Sequence, residues 1–418
     1  MIVTDLGLAN VRGIEAAEFA FQSGLNLIVG VNGAGKTTVL DALAICLEGA
    51  TRQVNGVRGA SGRRDSFTAE DINMLADALD VRLRFTIDGE QYGYEHHQPR
   101  ESTVTRPEKS STLRKQTYDT PLISGFTGAA PPAAHGMRPR PFGILFSARR
   151  AVPDGRAPGR AAVAGGPRAA LADAFGHREL RLPEFAAWLR TRAALAPEAP
   201  ASAQAIVAFE RAVERFLPGY SNLHVTDEAK PHLLIEKQGT VIPVAKLSDG
   251  ERGMLALVFD LTRRLAQANP DLDDPAAEGV GVVLIDEIDL HLHPRWQRTI
   301  VHDLPATFPG LQFIATTHSP QAIGEVPHER IQVMGEGPVF SPTHSYGVDS
   351  SRVLEEIMKA PPRAADIQLL LTRLSDYVAA GDYEAARSAS EELRIKLGDN
   401  DPEVLRARTL LEFLTDDE

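Results

Sequence analysis

The sequence predicts an α/β protein: a mostly parallel sheet with added antiparallel strands, a loop-rich and helical insertion, and an α-helical C-terminal extension. Three observations carry that reading. A glycine-rich loop stands between an apolar run and an amphipathic helix near the N-terminus, strands alternate with helices between Met254 and Thr316, and three amphipathic helical faces follow Ser350. Strands that alternate with helices imply a parallel sheet covered on both faces.

Composition sets the bounds. The chain has 418 residues, 43% hydrophobic and 24% charged, the balance of an ordinary globular protein of two or three domains. Its 44 Lys and Arg against 56 Asp and Glu give −12, so no global attraction to nucleic acid or acidic membrane is built in. A single cysteine, Cys46, excludes an intrachain disulfide framework. The N-terminus lacks the charged-then-apolar layout of a secretory signal. No run approaches the ~18 consecutive apolar residues of a membrane span. A cytoplasmic protein without membrane attachment is expected.

Taken in order, residues 25–29 are an apolar strand, and Val39, Leu40, Leu43 and Leu47 then recur at helical spacing. Residues 81–87 alternate apolar and polar, and with Asp88, Gly89 and residues 91–94 they read as a hairpin. From Arg100 to Arg168 twelve basic residues face four acids, a segment of +8 that leaves −20 on the rest. Its Ala-, Gly- and Pro-rich stretches argue for loops, either a solvated insertion or a surface that touches phosphate. Residues 143–146 form a buried strand inside it, and residues 185–217 a helical stretch broken near Pro197 and Pro200. A second hairpin joins residues 233–236 to 241–244.

Met254, Leu257, Val258, Leu261 and Leu265 then line a helix, residues 282–285 a strand, Trp296, Ile300 and Leu304 a helix, and residues 311–316 a strand. The tail is a helical hairpin plus one helix, similar to a tetratricopeptide unit, with −7 from Gly347 onward. The expected divisions are residues 1–98, 99–228, 229–347 and 348–418: the first part of the head, the basic insertion, the second part of the head and the helical extension.

Four places carry chemistry. Gly30-Val31-Asn32-Gly33-Ala34-Gly35-Lys36-Thr37 matches the phosphate-binding loop G-x-x-x-x-G-K-[ST]. Its glycines let backbone N–H groups turn round a polyphosphate, with the positive end of a helix behind them. Asn32, Gly33, Ala34, Gly35, Lys36, Thr37 and Thr38 are therefore expected to hold ATP, Lys36 to reach the β and γ phosphates, and Thr37 to ligate Mg²⁺. Residues 282–287, Val-Val-Leu-Ile-Asp-Glu, end an apolar strand in two acids. Asp286 is expected to hold Mg²⁺ through water and Glu287 to orient or deprotonate the attacking water. Leu247-Ser248-Asp249-Gly250-Glu251-Arg252 precedes a helix and, taken alone, reads equally well as a plain capped helix start. Ala315-Thr316-Thr317-His318-Ser319-Pro320 closes a strand.

In that order these elements resemble the ABC-type ATPases: LSDGER is similar to their LSGGQ signature, VVLIDE to their Walker B element and ATTHSP to their switch-histidine strand end. The stretch GLNLIVGVNGAGKTTVLDAL resembles the RecF- and SMC-like branch. LSDGERGMLALVFDL, VVLIDEIDLHLHPRWQR and FPGLQFIATTHSPQ resemble the bacterial stand-alone head ATPases once described as ATP-binding proteins involved in virulence, a group that includes ATPases of Septu and retron anti-phage systems. The likeness covers roughly the first fifty residues and most of residues 240–418, and the middle only loosely.

The resemblance implies a P-loop ABC-type head that works as a homodimer, or as a larger assembly of head dimers. Two copies would close head-to-tail, with Ser248 and Gly250 of one facing the γ-phosphate held by Lys36 of the other. Glu287 and His318 would be the catalytic pair, His318 also sensing the γ-phosphate. It further implies ATP hydrolysis that gates a partner nuclease, of HNH type and encoded nearby, in defence against phage. Two alternatives stand beside it: a RecF-like repair ATPase that contacts DNA through the basic insertion, and an ATP-gated scaffold with negligible turnover. No Toprim nuclease, zinc-supported HNH fold or coiled-coil arm is evident in the sequence.

One departure stands out. ABC ATPases usually place a glutamine after an early strand, yet the comparable stretch, Phe146-Ser147-Ala148-Arg149-Arg150, contains none. Either Ser147 substitutes through a water or turnover is slow; Arg149 and Arg150 either approach phosphate or form an exposed basic turn. His291 and His293 fall where the family's D-loop lies, with a metal site beside Asp286 and Asp289 as the alternative. Arg12 follows the first strand at a position that in similar heads lies near the nucleotide, with a plain surface role as the alternative. Cys46, Trp188 and Trp296 read as packing, and His96 and His97 as surface residues.

Overall fold

The computed structural model describes residues 1–55, 67–100, 123–127, 139–151, 166–176, 182–228 and 232–416. They form two compact units, Met1–Val348 and Asp349–Glu418.

The first unit begins with β1 (Ile2–Val11), β2 (Ile14–Ala20) and β3 (Leu25–Gly30). After the helix Lys36–Val54 come β4 (Ala78–Ile87), β5 (Glu90–Pro99), β6 (Ile123–Thr127) and β7 (Phe142–Phe146). Helices Gly166–Leu171, Leu182–Leu195 and Pro200–Phe216 lead to β8 (Tyr220–Val225), β9 (Leu233–Lys237) and β10 (Thr240–Pro243). Helix Asp249–Ala268, β11 (Gly281–Ile285), helix Pro294–Thr307, β12 (Leu311–Thr317) and β13 (Ile331–Met334) complete it.

The strands make three sheets. The central one is all parallel, in the order β13-β3-β12-β11-β7. Every residue of β3, β7, β11, β12 and β13 is buried, which is why β7 and β11 read as unbroken apolar runs, while Asn26, Gln312 and Gln332 are buried polar residues within β3, β12 and β13. An antiparallel sheet, β2-β1-β4-β5-β6, follows the alternating pattern instead: Leu79, Val81, Leu83 and Phe85 of β4 point inward while Arg82 and Arg84 face solvent. Helix Lys36–Val54 contacts strands of both sheets and buries Val39, Leu40, Leu43 and Leu47. The third sheet, β8-β9-β10, is antiparallel and small.

A buried side chain stitches the two larger sheets together. The amide of Gln312, at the start of β12, accepts from the Val3 N–H (2.7 Å) and donates to the Val3 and Gln22 carbonyls (2.8 and 2.9 Å). It pairs with β1 as a strand neighbour would, next to the register shift between Val3 and Asp5.

The structure corrects three readings. The basic segment is not all loop: β6 pairs with β5 inside it, and Gly166–Leu171 packs on helix Asp249–Ala268. That second contact rests on Arg264, fully buried, which pairs with Asp260 (3.0 Å) and donates to the carbonyls of Ala170 and Ala172. His96 is buried, because β5 runs on to Pro99 and places it on the inward face after Tyr94; its ring meets Phe67 edge-on at 4.9 Å, and burial pushes its pKa down to about 4. Strands β6 and β13 were absent from the sequence reading altogether. Most of the basic side chains between 100 and 168 lie outside the described residues, so the expected DNA-contacting surface falls there too.

In the second unit, helices Ala365–Ala379, Tyr383–Leu397 and Pro402–Asp416 share a core of Ile367, Leu370, Leu374, Ala386, Leu393, Val404 and Leu411. Asp382 and Asp401 accept from N–H groups of the helices that follow them. Among the described residues no helix is long and apolar enough to cross a membrane.

Gln312→Leu would strip the buried Val3 N–H and carbonyl of this partner, while the Gln22 carbonyl would keep Asn26 Nδ2 (2.7 Å). Urea unfolding should show a loss of about 2–4 kcal/mol; an unchanged midpoint would contradict the stitching role.

Candidate nucleotide-binding site

The motif residues gather at the carboxyl edge of the parallel sheet, where β3, β11 and β12 end side by side. The turn out of β3 needs left-handed backbone at Gly33 (φ 84°) and Gly35 (φ 96°), conformations that cost glycine little. Gly35 caps helix Lys36–Val54 without a side-chain hydrogen bond, so the first-turn N–H groups have no capping acceptor from that residue. Asn32 and Gly33 are exposed at the loop's crest, with Ala34 and Thr38 half-buried. The Lys36 ammonium turns back over the loop and donates to the carbonyls of Gly30 (2.8 Å) and Val31 (3.0 Å). Burial lowers its pKa, and Asp286, Glu287 and Asp289 oppose that shift.

Asp286 is the centre of the arrangement. Its Oδ2 accepts from Thr37 Oγ1 (3.2 Å) and its Oδ1 from Thr316 Oγ1 (2.6 Å), while its N–H continues the ladder to the Phe146 carbonyl (2.8 Å). Thr316 Oγ1 in turn accepts from the Glu287 N–H (2.7 Å). Glu287 follows in left-handed backbone (φ 51°) and is half-buried. Asp289 accepts from Thr317 Oγ1 (2.6 Å) and the His318 N–H (3.3 Å), which fixes the end of β12. Burial and the nearby Lys36 charge hold the His318 pKa below its usual value, with Asp289, Glu287 and Asp286 pulling the other way. At neutral pH that imidazole is uncharged, able to donate from one ring nitrogen.

A hydroxyl and a carboxylate at one point, an ammonium and uncapped helix N–H groups at another, are the donor set of a magnesium–triphosphate site. Thr37 and Asp286 fit the metal; Lys36 and the loop fit the phosphates.

Ser248 and Gly250 are differently occupied. Ser248 starts helix Asp249–Ala268 with a reciprocal cap: it accepts from the Glu251 N–H, while Glu251 Oε2 accepts from the Ser248 N–H (2.8 Å) and hydroxyl (2.7 Å). The other Glu251 oxygen takes Tyr220 of β8 and Lys237 of β9. Burial opposes the charge on Glu251, but these donors together hold its pKa at about 2. A Cβ at Gly250 would lie 2.8 Å from the His291 carbonyl oxygen, so only glycine lets this helix start sit against residues 291–292. Among the described residues, neither Ser248 nor Gly250 has a hydrogen bond to the phosphate loop of its own chain.

The flanking residues settle as follows. Arg150 is not an exposed turn residue: it donates to the carbonyls of Ser147, Asp286 and Glu287, and burial pushes its pKa down to about 10 against the pull of the nearby acids. The Arg149 side chain lies outside the described residues. Ser147 is buried, with a hydroxyl unpartnered among the described residues. Arg12 pairs with Asp41 and Asp71 (2.8 Å each), tying the β1–β2 turn to the helix after the phosphate loop. His293 Nδ1 accepts from the Arg295 N–H as a helix cap, and no group of three metal ligands forms among the described residues. Cys46 is buried, its thiol pushed up to about 12. Sequence reasoning missed Thr316 as a site residue. Its only signal was a pair of threonines just before His318.

Glu251 has a folded pKa below its usual 4.5, so the stability it supplies is present above pH 4.5 and lost as pH falls toward 2. Glu251→Gln should flatten the fall in stability over that window, as read by denaturation at successive pH values. Gly250→Ala should cost about 1–3 kcal/mol by overpacking.

A retron Ec83 probable ATPase of Escherichia coli is 38% identical over 208 residues, 49% of this chain and 38% of that protein. A Septu protein PtuA of Bacillus mycoides (strain KBAB4) is 48% identical over 77 residues, 18% of this chain and 10% of that protein. The chain thus matches well under half the length of these curated relatives. An SMC head solved with the C-winged helix domain of ScpA aligns over 82% of this chain and 97% of that one, at a TM-score of 0.49 and 16% identity, too loose a likeness to bear on function. A family model described as "AAA domain, putative AbiEii toxin, Type IV TA system" matches residues 25–324, and the chain belongs to that family.

Proposed function

We propose that this chain is a magnesium-dependent ATPase whose two copies close head-to-tail over ATP, and that closure gates a partner nuclease in defence against phage. The observation that carries the ATPase reading is Asp286, shared between Thr37 and Thr316, with Glu287 next in the chain. The names of its retron and Septu relatives support the defence setting.

In this reading Lys36 leaves the Gly30 and Val31 carbonyls for the β and γ phosphates, and the N–H groups of residues 32–38 surround them. Thr37 and Asp286 would hold Mg²⁺, which would offset the charge on the phosphate oxygens. Glu287 accepts the proton of the attacking water, and neutral His318 donates to the γ-phosphate. Ser248 and Gly250 of the second copy close the pocket; within one chain, among the described residues, neither has a hydrogen bond to the phosphate loop.

Lys36→Ala should abolish ATP binding, and Glu287→Gln should keep binding while lowering phosphate release by about 10²–10³-fold. Ser248→Arg should be inactive by itself, yet an equimolar mixture of Lys36→Ala and Ser248→Arg should regain turnover, because a mixed dimer holds one intact composite pocket. Phosphate release from the mixture no greater than from either variant would contradict the shared pocket. Release unaffected by either Lys36→Ala or Glu287→Gln would contradict the ATPase itself.

A further inference from the structure

We infer that Arg150 is a positioning residue that fixes the backbone of Glu287, and so the aim of its carboxylate, in the place where the expected glutamine is missing. This rests on the ATPase reading above. Arg150 lies on the short turn Ala148–Ala151 that follows β7. That turn is itself anchored, with the Arg150 N–H donating to the Ser147 carbonyl (3.0 Å) and Nη1 to the same oxygen (3.3 Å).

The guanidinium then reaches across to β11. Nη1 donates to the Asp286 carbonyl and Nη2 to the Glu287 carbonyl (2.7 Å). One rigid planar fork therefore spans the two peptide groups on either side of Glu287, whose φ of 51° is left-handed. A residue with a Cβ keeps that conformation only where its surroundings impose it.

The imposing contacts can be counted off along the main chain. The N–H groups of Asp286, Glu287 and Ile288 are held by the Phe146 carbonyl, Thr316 Oγ1 and the Thr316 carbonyl (2.8, 2.7 and 2.9 Å). The Glu287 carbonyl is met by the Leu290 N–H (3.0 Å) as well as by Arg150, while the Asp286 carbonyl has Arg150. Without Arg150 the peptide between Asp286 and Glu287 would keep its N–H anchor and lose its carbonyl anchor, and could then pivot. A carboxylate displaced by an ångström from its water loses most of its effect. A lysine cannot replace the fork, since one ammonium cannot hold two carbonyls in a fixed plane.

Had Arg150 served only to pair charge, it would face a side-chain carboxylate; its hydrogen bonds among the described residues go to main-chain carbonyls instead.

The test compares wild type, Arg150→Lys, Glu287→Gln and the double variant for kcat and KM with MgATP, and for amide exchange in the peptide carrying residues 286–292. Arg150→Lys should lower kcat by roughly tenfold to a hundredfold with KM unchanged. It should add nothing in the Glu287→Gln background, and exchange should quicken in that peptide alone. A raised KM with kcat intact would make Arg150 a phosphate contact and overturn the inference, as would a loss that multiplies with that of Glu287→Gln. Should wild type show no turnover, the ATPase reading fails, and exchange alone decides: faster exchange confined to that peptide upholds the clamp, unchanged exchange overturns it. If Arg150→Lys does not fold, Arg150→Gln carries the same readouts.

Discussion

The head depends on one buried carboxylate being held by hydroxyls from two different elements. Asp286 directly follows β11, Thr37 lies in the first turn of the helix that leaves the phosphate loop, and Thr316 sits near the end of β12; both hydroxyls donate to the Asp286 carboxylate. Parallel pairing makes this possible, because strands that run the same way end at the same edge and present their following residues together. The register Ile285↔Ala315 puts Asp286 opposite Thr316, and Asp286 continues the ladder onto Phe146 of β7. Sheet geometry thus fixes the acid before any ligand arrives.

A second network governs the start of helix Asp249–Ala268. Glu251 closes the cap on Ser248 with one oxygen and takes Tyr220 and Lys237 with the other, joining the start of helix Asp249–Ala268 to the small sheet. The helix also bears on residues 291–292 through Gly250, just beyond the acids of β11. The two networks therefore share a short stretch of backbone, residues 286–292.

Much of this could be read from the sequence, and the boundary has a physical cause. Motifs and short-range periodicity are local, so β3, β11, β12, both hairpins and the two helices around Pro200 were foreseeable, as was the capped helix start at Ser248. What those residues touch depends on register between distant segments. Thr316 is separated from Asp286 by 30 residues and Arg150 by 136, and nothing local marks either as its neighbour. His96 looked like a surface residue because the alternating pattern of β5 weakens after Tyr94, yet pairing with β4 holds the strand to Pro99. Strands β6 (Ile-Ser-Gly-Phe-Thr) and β13 (Ile-Gln-Val-Met) mix polar and apolar residues, so neither shows the unbroken apolar run that marks β7 and β11.

The central claim is that Asp286, pre-set by Thr37 and Thr316, is where the metal of a bound nucleotide is held. Electron paramagnetic resonance with Mn²⁺ in place of Mg²⁺ tests it most directly. ATP should draw Mn²⁺ onto the wild-type protein, and Asp286→Asn should abolish that uptake while Lys36 still binds the nucleotide. Mn²⁺ uptake that is indifferent to Asp286 would contradict the account.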